Sequence, residues 1–243
     1  MYDTYIFDFY GTLVDIHTDE NKMSFWIAFS RFCRKYGIFI RADKLRRMYR
    51  REVGKEILRT GRSTGYRYPE PDLLKVFCRL LPGLSSAQVR EAAWQFRLLS
   101  RDRFEVYPHV REVLGQLKAE GKTICLLSNA QACFTDPELD ESGLREYFDI
   151  ILLSSDCRMK KPQPEFMEIL LEGRDRKRCI MTGNDFESDA ASAYACGVQA
   201  VFLNTYRQSE EEIGKYLKKY PGTYVIADGD IAKLREVAEC RNG

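Results

Sequence analysis

The N-terminal apolar run breaks once, at a carboxylate. In Ile6-Phe7-Asp8-Phe9-Tyr10-Gly11-Thr12-Leu13-Val14-Asp15 the pattern predicts a strand that carries Asp8 to its own C-terminal edge and then turns. The period changes after Asp15. Met23, Trp26, Ile27, Phe29, Phe32 and Cys33 recur at helical spacing over residues 18–36, opened by Thr18-Asp19-Glu20, residue types that suit a helix start. A second helix is expected from Arg41 to Arg59, with Leu45, Met48, Val53, Ile57 and Leu58 on its apolar side, and Gly61 to Gly65 reads as a loop. Helical spacing returns at Asp72 to Phe77 and again after Ser85-Ser86, through Val89, Ala92, Ala93, Trp94 and Phe96. Residues 17 to about 103 are therefore read as wholly helical, an insertion without strands.

From Val106 onward, strands and helices alternate. A helix from Val110 to Glu120 ends at Gly121, and the buried strand Thr123 to Leu127 runs into Ser128-Asn129. Further strands are expected at 149–153, 178–182, 199–203 and 223–226, with helices at 164–172 and 189–196 and at the C-terminus. Alternation of this kind implies right-handed crossovers and a parallel sheet covered on both faces. The fold class is α/β: a Rossmann-like, doubly wound, mostly parallel sheet built from residues 1–16 and 105–243, with an inserted all-α unit at 17–104.

The totals narrow the classes. In 243 residues 44% are hydrophobic and the formal net charge is +2, which suits a folded domain and gives no support for a nucleic-acid partner. No apolar run is long enough to span a bilayer and no basic-then-apolar leader opens the chain, so no membrane partner and a cytoplasmic location are expected. Eight cysteines, at 33, 78, 125, 133, 157, 179, 196 and 240, contain no CxxC pair and read as reduced thiols. Two histidines, His17 and His109, leave little for a histidine-rich transition-metal site.

Four strand ends carry polar groups: Asp8, Ser128, Lys161 in Lys-Pro-Gln-Pro, and Gly183-Asn184-Asp185-Phe186-Glu187-Ser188-Asp189. Each alone has a plain explanation as a cap or a solvated loop residue. Together, at one edge of one sheet, they form a site, because ligands of open α/β sheets collect outside the carboxyl ends of the strands. Asp185 and Asp189, four residues apart, would repel one another on a helix face unless a cation relieved them.

This ordered set resembles the haloacid dehalogenase-like hydrolase superfamily, and the helical insertion directly after the first motif is similar to that family's helical cap. The resemblance implies a nucleophilic Asp8 that forms a covalent aspartyl intermediate. It also implies Ser128 and Lys161 as catalytic anion-holding groups, Thr12 and Asn129 as substrate contacts, and a Mg2+ held by Asp8, the Tyr10 carbonyl, Asp185 and Asp189. The family's phosphatases place a second Asp two residues after the nucleophile, where this chain has Tyr10. A phenol is a poor base near neutrality, and the Asp-x-Tyr-Gly-Thr form is similar to that of the L-2-haloacid dehalogenases, whose halide leaves without a proton.

The expected activity is Mg2+-dependent hydrolysis of a small anionic phosphorylated metabolite, because the acid pair of the fourth motif points to a metal. The alternatives are a metal-independent 2-haloacid dehalogenase, with Asp189 assisting water, and a degenerate binding protein. Arg31, Arg34, Arg41, Arg46, Arg47, Arg50 and Arg51 crowd the first two helices of the insertion as candidate substrate clamps.

Overall fold

The structure, a computed structural model, describes residues 2–239. In chain order the elements are β1 (Thr4–Phe7), β2 (Val14–Thr18), α1 (Met23–Cys33), α2 (Ala42–Thr64), α3 (Leu73–Leu80), α4 (Ser86–Ser100) and β3 (Arg101–Val106). They continue with α5 (Val110–Ala119), β4 (Thr123–Ser128), α6 (Ala132–Glu141), β5 (Ile150–Leu153), α7 (Ser154–Cys157) and α8 (Pro164–Leu171). The last are β6 (Cys179–Gly183), α9 (Ala191–Cys196), β7 (Gln199–Leu203), α10 (Glu210–Lys219), β8 (Tyr224–Ile226) and α11 (Leu234–Glu239).

Six strands form one sheet in the order β5-β4-β1-β6-β7-β8, and every pairing in it is parallel. The period of two along each strand sorts side chains into two layers. Tyr5, Phe7, Ile124, Leu126, Ile180 and Val201 pack with α5 and α11 on one face. Ile6, Cys125, Leu127, Met181 and Phe202 pack with α8, α9 and α10 on the other. Burial on both faces is why these strands read as continuous apolar runs. The chain leaves β1 for β4 on one side and reaches β6 on the other, so the strand order reverses at β1, the place where open α/β sheets form a crevice.

The helices α1 to α4 enclose a core of their own, built around Phe96. Its ring lies 4.8 Å from Phe25, 5.1 Å from Phe29, 4.9 Å from Tyr49 and 5.2 Å from Phe77, centroid to centroid. Phe134 of α6 joins this cluster from the sheet side. Trp94 stays outside it, under the Arg101 guanidinium.

The expectation of a strand-free insertion is corrected by β2 and β3, which pair antiparallel in a separate two-stranded ribbon, Val14 opposite Val106 and Ile16 opposite Phe104. Charged residues facing water on alternate positions, with Asp15 and Arg103 paired at 3.0 Å, hid the alternation behind a polar composition. Because β2 occupies residues up to Thr18, α1 starts at Met23, later than expected. The loop expected at Gly61 to Gly65 is the last turn of α2. Gly61 is tolerated inside it, and the stop falls at Gly65, left-handed with φ 72° and donating its N–H to the Gly61 carbonyl.

The seven described cysteines are unpaired, and Cys240 lies outside the described residues. No helix among the described residues is long and apolar enough to cross a membrane.

Candidate active site

Three neighbouring strands, β4, β1 and β6, end side by side. The ladder extends one residue past β1, with the Asp8 amide donating to the Thr182 carbonyl at 3.0 Å. That last bond fixes Asp8 at the rim of the sheet, where its carboxylate meets the side chains that leave the neighbouring strands. Ser128 Oγ donates to Asp8 Oδ1 at 2.9 Å and Lys161 Nζ to the same oxygen at 2.7 Å. Among the described residues Asp8 Oδ2 has only Thr12 Oγ1, at 3.5 Å, so one oxygen is held and the other keeps its lone pairs for a reacting partner.

Lys161 is the buried hub. Its Nζ also reaches Asp189 Oδ1 at 2.6 Å, and the ammonium lies between two carboxylates with almost no solvent contact. Burial works against the charged ammonium, but Asp189 and Asp8 outweigh it and raise the Lys161 pKa. Asp189 is pushed above the ordinary carboxylate range, first by burial and then by the nearby Asp8 charge, with Lys161 pulling the other way. Two carboxylates against one ammonium leave this cluster with an excess negative charge.

The loop that carries Lys161 is tied down from two sides. Asn129 brackets its backbone, accepting from Lys161 N at 2.7 Å and donating to Lys161 O at 3.0 Å. Residues of the insertion pair with the same loop: Lys160 N donates to Tyr68 O, and Glu70 N to Arg158 O.

Two glycines make the convergence possible. A side chain on Gly11, which is left-handed at φ 75°, would lie 2.3 Å from Asn184 Nδ2 and 2.6 Å from the Tyr206 hydroxyl. A Cβ on Gly183 would sit 2.1 Å from Asp189 Oδ2. Asp189 turns back over β6 because nothing stands in that space.

The candidates named from sequence divide as follows. Asp8, Ser128, Lys161 and Asp189 form one bonded cluster. Thr12 is buried between Asp8 Oδ2 and Asn184 Oδ1, the latter at 3.2 Å. Asn129 lines the cavity beside Asp8, but its amide is spent on Lys161. Asp185 lines the same cavity and turns its carboxylate back on its own turn, accepting from Glu187 N at 2.8 Å and Ser188 Oγ at 2.9 Å. The Asp189 oxygens are committed to Lys161 and to the Asp185 amide, the latter at 3.0 Å, and Asp189 does not line the cavity.

Tyr10 borders the cavity, yet its hydroxyl is engaged elsewhere. It donates to Glu138 Oε2 at 2.5 Å and lies 2.8 Å from Thr135 Oγ1. Burial, then the Glu138 charge, raises the phenol's pKa well above its usual value. Glu138 is wholly buried and also accepts from Arg97 Nε at 2.8 Å and Arg101 Nη1 at 3.1 Å. Arg97 lies on α4, so this buried ion cluster joins the insertion to the sheet domain two residues from Asp8. Of the arginines proposed as clamps, none lines the cavity.

Sequence reasoning missed Tyr206 and Gln208, which border the cavity from the loop after β7. The Thr205 hydroxyl anchors that loop to the Gly11 carbonyl at 2.6 Å. The signal was present: Asn204-Thr205-Tyr206 follows the apolar strand 199–203 just as Ser128 follows 123–127. Glu138 and Arg97 left no such trace, because charged residues in amphipathic helices ordinarily read as solvated.

The cavity over Asp8 is about 340 Å³ in volume. Its side chains are hydroxyls, amides, phenols, carboxylates and one ammonium. For a cation, the two carboxylate residues lining it are Asp8 and Asp185, beside Asn184, and among the described residues no three or more His, Cys, Asp or Glu converge as a metal cage. That donor set fits magnesium, which takes one or two carboxylates and fills its remaining positions with water and phosphate oxygens. It does not fit zinc, which wants imidazole or thiolate in a closed tetrahedron.

Residues 2–197 match the family model described as haloacid dehalogenase-like hydrolase. The ribulose-1,5-bisphosphate 5-phosphatase of Halopiger xanaduensis is 26% identical over 122 residues, 49% of this chain and 50% of that protein. The chain spans about half the length of the curated relatives it matches. Two solved structures are similar over nearly their whole length. The 2-haloacid dehalogenase of Pseudomonas syringae has a TM-score of 0.66 at 20% identity, covering 99% of this chain and 100% of that one. The HAD phosphatase of Thermococcus onnurineus has 0.60 at 19% identity, covering 98% of each. At such identities the likeness is one of fold.

Proposed function

Because the chain belongs to the haloacid dehalogenase-like hydrolases, we propose that this hydrolase removes phosphate from a small phosphorylated metabolite, with Asp8 as the attacking carboxylate and magnesium as cofactor. One observation carries the reading. Asp8, whose Oδ2 has a long 3.5 Å contact from Thr12, lines a cavity whose lining residues all carry polar groups, with Asp185 as the second carboxylate and Lys161 as its one cation. A phosphoryl group offers oxygens for Lys161, Asn184 and Ser188, and its charge, facing surplus carboxylate, calls for a divalent cation. A 2-haloacid instead needs a clamp for its own carboxylate. Among the described residues no arginine lines this cavity, and Arg97, which packs against the Tyr10 ring, spends its guanidinium on Glu138.

The roles follow from the bonds. Lys161 and Ser128 hold Asp8 Oδ1, which orients Oδ2 toward the phosphorus. Asp189 positions Lys161 from behind, and Asn129 fixes the loop on which Lys161 sits. Asp8, Asp185 and Asn184 would hold the magnesium, which when bound screens the charge between the attacking carboxylate and the phosphoryl oxygens. The helical insertion acts as the cap over this crevice. Residues 17–104 hold twenty Lys and Arg against nine Asp and Glu, a positive unit that concentrates anions beside an acidic core.

The test is release of phosphate from an aryl phosphate and of chloride from 2-chloropropionate, each with and without chelator. Phosphate release abolished by the chelator and restored by magnesium is the expected result. Chelator-insensitive chloride release, or neither product, overturns it.

A further inference from the structure

A hydrolase that breaks an ordinary phosphate ester must give its leaving oxygen a proton, and the cavity over Asp8 has no group placed to do so. Asp8 is the attacking group. The Tyr10 hydroxyl gives its proton to Glu138, away from the cavity, at 2.5 Å. Lys161 Nζ donates to Asp8 and Asp189, both at 2.7 Å or less, and those two carboxylates raise its pKa, so it stays an ammonium. The Asp185 carboxylate is an acceptor for Glu187 N and Ser188 Oγ. Tyr206, the remaining acidic hydrogen at the rim, is a phenol whose proton is held more tightly than usual by burial and by the charges of Asp15 and Asp8. Serine hydroxyls and the amides of Asn129, Asn184 and Gln208 are far too weak as acids to serve. Among the described residues, both histidines lie elsewhere, paired with Asp102 and Asp230.

Resting on the phosphatase reading above, we propose that the substrate is a small acyl phosphate, a phosphoryl group carried on a carboxylate whose oxygen departs as a stable anion. Asp8 Oδ2 forms the new bond to phosphorus. The bond from phosphorus to the acyl oxygen breaks, and its electron pair leaves on the carboxylate without a proton. Water then attacks the phosphorus of the aspartyl phosphate, the bond to Asp8 breaks with its pair returning to the Asp8 carboxylate, and the water's surplus proton goes to a phosphate oxygen. Neither half-reaction asks the protein for an acid or a base. A cavity of about 340 Å³ lies at the small end of the range for ligand pockets, which favours a short acyl chain over a nucleoside.

The experiment measures kcat/KM for phosphate release by the whole chain with magnesium. The substrates are acetyl phosphate, glycerol 3-phosphate, and aryl phosphates running from dinitrophenyl to unsubstituted phenyl. The expected result is a steep decline along the aryl series, and acetyl phosphate preferred to glycerol 3-phosphate by roughly 10²- to 10⁴-fold, the usual worth of a general acid. A flat aryl series, or glycerol 3-phosphate hydrolysed as fast as acetyl phosphate, overturns the inference and leaves the phosphatase reading standing. No phosphate from any of them overturns both.

Discussion

Lys161 Nζ lies 2.6 Å from Asp189 Oδ1, and neither side chain has meaningful access to solvent. With Asp8 on its other side, the ammonium compensates one carboxylate and leaves the second in surplus. Substitutions in the cluster should therefore differ sharply in sign. Lys161→Met leaves two buried carboxylates facing each other and should cost about 3–5 kcal/mol, the usual penalty for breaking a buried pair. Asp8→Asn keeps an acceptor for Ser128 and Lys161 and removes the surplus charge. It should abolish turnover while leaving stability unchanged or raised by up to about 2 kcal/mol. Urea unfolding of the two variants beside the parent checks both. A destabilised Asp8→Asn protein would show that the surplus charge is relieved in some other way.

The same surplus sets a pH dependence. Asp189 is raised above its unfolded value by burial and by Asp8, so in the interval between the two values the native state binds more proton than the unfolded chain. Stability from this group is then present at acid pH and is lost as pH rises through that interval toward neutrality. Asp189→Asn does not titrate and loses this slope. Between about pH 4 and pH 7 the variant should gain on the parent steadily in unfolding free energy, and a constant difference between them would rule out the raised value.

Glu138 presents the opposite case, a fully buried carboxylate with more partners than it needs. Glu138→Gln would leave Arg97 buried without its counter-ion, while Arg101 keeps Glu141 at 2.8 Å, at a cost of about 3–5 kcal/mol. Tyr10→Phe removes one neutral donor and should cost about 1–2 kcal/mol. If the phenol serves only to join the sheet domain to α4, turnover of an aryl phosphate by Tyr10→Phe stays within about fivefold of the parent. A loss of roughly 10²-fold or more would assign it to proton transfer instead.

The contrast between these clusters shows what was legible in the sequence. Asp8 and Ser128 could be found because each stands at the end of a strand, and strand ends of a parallel sheet are brought together by topology alone, whereas Lys161 reaches them from a loop that follows α7. The sheet itself was legible for a related reason: strands buried on both faces are apolar at most positions. The β2–β3 ribbon was not, since alternate residues of it are charged and face water and its pairing partner lies more than eighty residues away. The division of labour among the acids also escaped the sequence. Asp185 and Asp189 look equivalent at four residues' spacing, yet a π-helical turn over Phe186–Ala190 sends one to the cavity and the other beneath Lys161. Overall charge concealed a similar asymmetry, because a basic insertion and an acidic core nearly cancel.

Gly183 offers a test of that division. Its α-hydrogen faces the Asp189 carboxylate, and an added Cβ would lie 2.1 Å from Oδ2 and 2.6 Å from the Asp189 Cβ. The obstruction is the base of a buried side chain rather than the tip of a mobile one, so Asp189 itself must shift. Once Asp189 withdraws, Lys161 keeps only Asp8 as a partner, and the Asp185 amide loses its acceptor. Gly183→Ala should therefore cost about 1–3 kcal/mol, typical of overpacking, and lower kcat more than it raises KM, because the cavity walls are untouched while the lysine that orients Asp8 is not. Gly54→Ala, at a helical glycine with nothing within 4 Å of an added Cβ, is the control and should be neutral or slightly stabilising. Equal kinetic behaviour of the two variants would mean that Asp189 has no part in positioning Lys161 for catalysis.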